Sequence, residues 1–149
     1  MGFAARRLPV SHADAQYFRL ELPTDLSRVG DAVEAVVECC RAGQGTLPAR
    51  LRFRLRTVAA EAIANAMTYG NAMDPRRRVT VELELAQQQI VLAVSDEGAG
   101  FDPAGVPELA DHECHDATRG RGLFMIRRLA ERVTFNERGN TIWMTLPRH

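Results

Sequence analysis

Glu61-Ala-Ile-Ala-Asn65-Ala-Met-Thr-Tyr69-Gly70 is the stretch on which the reading of this chain turns. Apolar residues Leu51, Leu55, Val58, Ala62 and Ala66 recur at helical spacing around it and predict a helix over about 49–69. Pro48 stands where a helix starts without wasting an amide donor, and Gly70 and Asn71 suit a left-handed C-terminal end. Glu61 and Asn65 are four apart, so both project from one side of that helix. A carboxylate and an amide stacked there can activate a nucleophile and ligate a hard cation through oxygen. Taken alone, the same pair also suits a solvated helix face.

Upstream, Gln16–Leu22 alternates Phe18, Leu20 and Leu22 with polar residues, a half-buried strand stopped by Pro23. Leu26–Cys40 carries Val29, Val33, Val36, Val37 and Cys40 at helical spacing, with Asp25 as cap and Gly43 and Gly45 at its end. Downstream, Val79–Leu85 alternates strictly. Ile90–Val94 is evenly apolar, as in a central strand, and glutamines 87–89 turn between the two.

Two further segments carry residue types that a plain core would not choose. Ser95-Asp96-Glu97-Gly98-Ala99-Gly100-Phe101-Asp102-Pro103 follows the apolar strand directly. Asp96 there can accept from an exocyclic amine, and Gly98 and Gly100 let the backbone approach a flat ring. Alone, such a segment also reads as a turn. Arg119-Gly120-Arg121-Gly122-Leu123 opens a helix over 122–132, with Leu123, Ile126, Leu129 and Ala130 inward. A helix N-terminus offers amides and a positive dipole end to phosphate, and Arg119 or Arg121 adds charge. Between the two, the region from about Pro103 to Arg119 lacks a period, and a loop that long is usually functional. Val133–Phe135 and Thr141–Leu146 close the chain as a hairpin through the Glu137–Asn140 turn. The predicted fold is an α/β (α+β) sandwich: a mixed, mostly antiparallel sheet with helices on one face and the other face available to a partner.

Bulk properties bound the function. At 149 residues the chain has the length of one domain, and nineteen arginines, with no lysine, balance nineteen acids. Neither nucleic acid nor a membrane is expected as a direct partner. The arginine runs 50–56 and 76–78 read as solvated surface or a protein contact. Cys39, Cys40 and Cys114 have no ligand-like spacing and read as small structural side chains. The cluster Asp111-His112-Glu113-Cys114-His115-Asp116 is too tightly spaced for a tetrahedral zinc site. Trp143 reads as sheet-face or core packing. No run approaches the ~20 apolar residues of a membrane span, and no apolar run follows Arg6 and Arg7, so a cytoplasmic location is expected.

Three such segments in this order resemble the GHKL ATPase superfamily of gyrases, heat-shock chaperones, histidine kinases and MutL mismatch-repair proteins. The helix with Glu61 and Asn65 looks like its N box. Asp96-x-Gly98-x-Gly100 looks like its first glycine box, and Gly120-x-Gly122-Leu123 like its second. The likeness covers about 16–146 and implies the Bergerat-type ATP-binding fold, with 1–14 as an extension and 103–119 as an ATP lid on a single domain spanning 1–149. The run Gly120-Arg-Gly-Leu-Phe-Met-Ile-Arg-Arg-Leu is most similar to the anti-sigma-factor serine kinases of bacteria. That resemblance implies ATP with Mg²⁺, a serine on an anti-anti-sigma (STAS-type) antagonist as acceptor, and in many members a sequestered sigma factor and a homodimer. It implies Glu61 as general base and Asn65 as the Mg²⁺ holder. It further implies Asp96 as acceptor from the adenine amine, Gly98 and Gly100 as shapers of the adenine slot, and Gly120, Arg121, Gly122 and Leu123 at the phosphate end of the lid. Thr141 matches a family threonine near adenine. One departure stands out: Tyr69 precedes Gly70 where the family often has histidine. The competing expectations are a nucleotide-binding module that sequesters a partner without phosphorylating it, favoured by Tyr69, and a detached histidine-kinase domain.

Overall fold

The alternation in Arg78–Leu85 has a direct outcome: Val79, Val81, Leu83 and Leu85 are buried on one face of the strand. The computed structural model describes residues 6–8, 15–100 and 118–148. In chain order these form β1 (Arg6–Leu8), β2 (Gln16–Pro23), a 3₁₀ turn (Leu26–Arg28), α1 (Val29–Gln44) and α2 (Ala49–Asn65). A π-helical turn (Ala66–Gly70), β3 (Arg78–Leu85), β4 (Gln89–Ser95), α3 (Thr118–Leu129), β5 (Arg132–Phe135) and β6 (Thr141–Pro147) follow.

The six strands lie in the order β1-β2-β3-β4-β6-β5, and every pairing among the described residues is antiparallel. Among the described residues the sheet is thus antiparallel throughout, where the sequence predicted a mostly antiparallel one. β1 falls within the predicted extension and pairs with β2 at one edge. Leu20 and Leu22, the β3 set, Ile90, Leu92 and Val94, and Ile142, Met144 and Leu146 point to a single core. The three helices cover that face, with α2 packed between α1 and α3. Burying each such aliphatic side chain stabilises the fold by about 1.5–3 kcal/mol.

Two local differences from the predicted elements have physical causes. α1 runs on to Gln44 because Gly43 is a packing glycine inside the helix: a Cβ there would lie 2.7 Å from Leu85 Cδ1. Gly45, at φ +89°, ends the helix as the sequence suggests, its N–H bonded to Arg41 O. Asp25 does cap, but on the short 3₁₀ turn, accepting from the Ser27 amide at 3.0 Å.

The end of α2 differs more. The chain widens into the π-helical turn, with Asn71 N–H bonding Ala66 O at 2.7 Å and Met73 N–H bonding Met67 O at 2.9 Å. The left-handed residues are then Ala72 and Met73, at φ 51° and 57°, rather than Gly70 and Asn71. α3 starts at Thr118, so Gly120 and Gly122 lie within its first turns rather than ahead of it.

Candidate functional site

Where α2 passes over the ends of β4 and β6, a pocket opens on the helix side of the sheet. Ala62, Asn65 and Ala66 form one wall, and Leu123 and Ile126 of α3 another. Val94, Asp96, Phe135 and the segment Gly139–Ile142 complete it. The mixture of apolar walls with a few polar groups is that of a small-molecule site.

Asp96 leaves the end of β4 and is held by its neighbours. Its N–H bonds Asn140 O at 2.9 Å, and its Oδ1 accepts the Gly98 amide at 2.9 Å. Its carboxylate packs directly on Gly70, where any Cβ would overlap it. Gly98 in turn stacks on the Gly70 carbonyl so closely that a Cβ would collide with that oxygen. Gly100 has φ +84° and abuts the Arg138 carbonyl, which docks the loop on the β5–β6 turn. The glycines at 98 and 100 thus serve close approach to the Gly70 and Arg138 carbonyls.

Glu61 and Asn65 project together from α2 toward the first turns of α3. A Cβ built on Gly122 would lie 2.9 Å from both Glu61 Oε2 and Asn65 Nδ2. Nδ2 of Asn65 is buried and has no hydrogen-bond partner among the described residues. A buried donor left in that state costs about 1–3 kcal/mol, so the pocket presents an unmet demand for an acceptor such as a phosphate oxygen. Leu123 is buried in the wall, while Arg121 is exposed beside it. Gly120 stands in the first turn of α3. Thr141 lines the pocket, its hydroxyl 2.8 Å from that of Ser95. The structure therefore brings Glu61, Asn65, Asp96, Gly98, Gly122, Leu123 and Thr141 to one end of the sheet.

Tyr69 is not part of this lining: it is 37% exposed. The sequence reading missed Gly70 and Asn71 as parts of the site, having spent both on a helix end. It also missed Phe135 and Asn140, which carry no motif. The cluster 111–116 and most of the expected lid at 103–119 lie outside the described residues. Among the described residues no group of three or more His, Cys, Asp or Glu is placed to hold a metal. Cys40 is fully buried, and desolvation pushes its thiol up to about 12. No helix of the described residues is long and apolar enough to cross a membrane.

Comparison with known proteins agrees with this geometry. The chain is 30% identical over 105 residues to the serine/threonine-protein kinase BtrW of Bordetella bronchiseptica, covering 68% of this chain and 72% of that protein. Residues 22–146 match the histidine kinase-like ATPase domain, a span that takes in every wall of the pocket. This protein belongs to the histidine kinase-like ATPase domain family.

Proposed function

We propose that this ATP-binding, kinase-type domain transfers the γ-phosphoryl group of ATP to a serine of a small anti-anti-sigma (STAS-type) protein, and so switches a partner such as a sigma factor between bound and free states. The observation that carries this reading is the closure of Gly122 on Glu61 and Asn65 together. It sets a carboxylate and an amide beside the N-terminal turns of a helix, where amides and dipole favour phosphate. Asp96 accepts from the adenine amino group, and Gly98 and Gly100 shape the adenine slot by seating their loop against the Gly70 and Arg138 carbonyls. Thr141 sits at the adenine end. Gly120, Gly122, Leu123 and Arg121 border the phosphates. Glu61 takes the proton of the serine hydroxyl as its oxygen bonds to the γ-phosphorus and the bond to the β-phosphate oxygen breaks, releasing ADP. Asn65, with an amide oxygen able to ligate a cation and a buried Nδ2 able to donate to phosphate, fits a place between phosphate and Mg²⁺; the ion would neutralise phosphate charge. Phosphoryl transfer needs little more than positioning and charge neutralisation.

Radiolabelled ATP incubated with the protein and its STAS-type antagonist is expected to label the antagonist on serine. Glu61→Ala should abolish the label while ATP still binds. ATP binding without any transfer to serine would sink the kinase reading.

One observation favours a second reading. Tyr69 stands where related chains often carry histidine, and a tyrosine is no substitute base near neutral pH. In that case the protein sequesters its partner in a nucleotide-dependent way. Partner affinity would then differ between ATP and ADP with no phosphoprotein formed. An acid-labile label would instead point to a histidine acceptor. The open sheet face, with Trp143 exposed upon it, offers area for a protein partner or a second copy of the chain.

A further inference from the structure

Asn71 is fully buried, yet it is a polar residue with no place in any of the three motifs. Its surroundings account for it. Nδ2 donates to Thr24 Oγ1 at 2.9 Å and to Arg78 O at 3.1 Å, using both of its hydrogens. Oδ1 accepts the Glu97 amide at 2.8 Å. The backbone N–H of Asn71 bonds Ala66 O at 2.7 Å, closing the turn that follows Asn65. One residue, through its side chain and its own amide, therefore joins the end of β2, the start of β3, the end of the helix carrying Asn65 and the loop carrying Asp96.

The position of the Glu97 amide matters for what precedes it. Of three consecutive amides, that of Asp96 is held by Asn140 O and that of Gly98 by Asp96 Oδ1. The middle one, Glu97, is held by Asn71 alone among the hydrogen bonds on this segment's backbone. The Glu97 side chain adds an anchor on the same strand, accepting from the Arg78 amide. Rotation of the Glu97 peptide would turn ψ of Asp96 and swing its carboxylate off the Gly70 backbone on which it rests.

We infer that Asn71 is a positioning residue for base selection: it fixes the Glu97 peptide and thereby aims the Asp96 carboxylate at the exocyclic amine of the bound purine. This rests on the reading of Asp96 given above. Because Asn71 touches only protein, it acts through Asp96 and not on the nucleotide. Its removal should therefore change which base is preferred rather than how phosphates are held.

The probe is purine riboside triphosphate, which lacks only the 6-amino group of ATP, and the measurement is calorimetric affinity for both nucleotides. A charge-assisted hydrogen bond gives wild-type protein a preference for ATP of about 10-fold or more. Asn71→Ala should bring the two affinities within about 3-fold of each other, chiefly by weakening ATP, since the analogue never made the contact. General loosening of the fold would weaken both equally and leave the ratio untouched. Thr24→Val, nearly isosteric, removes one of the two anchors of Nδ2 and should give an intermediate ratio; it decides the matter if Asn71→Ala does not fold. A wild-type ratio in whichever of these variants is folded overturns the role of Asn71. Equal affinities in the wild-type protein overturn the reading of Asp96 itself, and with it this inference.

Discussion

Gly122 has no room for a side chain, and the cause is chemical rather than structural. The atoms it would meet are the far ends of Glu61 and Asn65, which can swing aside at little cost to the fold. Alanine is also the better helix former by about 0.8–1 kcal/mol. Gly122→Ala should therefore leave the melting temperature unchanged or raised. On the proposed reading, phosphoryl transfer should nevertheless fall by about 10–100-fold, since that reading has the two displaced groups meet the reacting atoms. A paired thermal melt and transfer assay checks both halves. Residues of this kind were legible because their types are costly in a core: an Asn one helical turn from a Glu, and glycines in a fixed rhythm after a strand. Gly70 and Asn71 were not legible in that way. A glycine followed by an asparagine after a helix has an ordinary explanation as a cap, and only the approach of a distant loop shows that both serve Asp96 instead.

At the level of elements, alternation made the strands readable. β3 and β4 were placed to within one residue at each end, because burial on one face leaves no freedom of register. The widened turn after α2 was not readable, since its bonding depends on what packs against it. That turn leaves Ala72 and Met73 exposed in the left-handed region, which costs a non-glycine residue about 1–2 kcal/mol. Ala72→Gly should relieve part of that strain and raise stability by about 0.5–1 kcal/mol, seen as a higher urea midpoint with an unchanged slope. α1 supplies a second test at this scale. Its inner face buries Cys40 completely, while Cys39 is half-buried. The Cys40 thiol, ordinarily titrating at 9.0, is pushed up to about 12 by desolvation, so the folded state favours the neutral form. That contribution is intact below pH 9 and lost as pH rises toward 12, so stability should fall across that window. At pH 8 in native buffer, alkylation followed by mass mapping should modify Cys40 only after denaturant is added.

Across the whole molecule, the layered plan was evident from the order of apolar periods, but the closure of the sheet was not. Nothing local says that the last strand inserts between β4 and β5 or that Arg6–Leu8 adds an edge to β2. These are long-range pairings, decided by which edges remain open once the helices have covered one side. The result separates two surfaces: the candidate pocket on the helix side, a polar sheet on the other. Trp143, paired with Ala93 and Thr134, stands on that polar side, 38% exposed, and it is the single tryptophan of the chain. The protein thus carries a built-in optical reporter on the face away from its chemistry. Its fluorescence maximum should stay fixed when ATP is titrated in, and should shift to the blue when another protein covers the sheet. Occupancy of the two faces can then be followed separately in one cuvette, without a label.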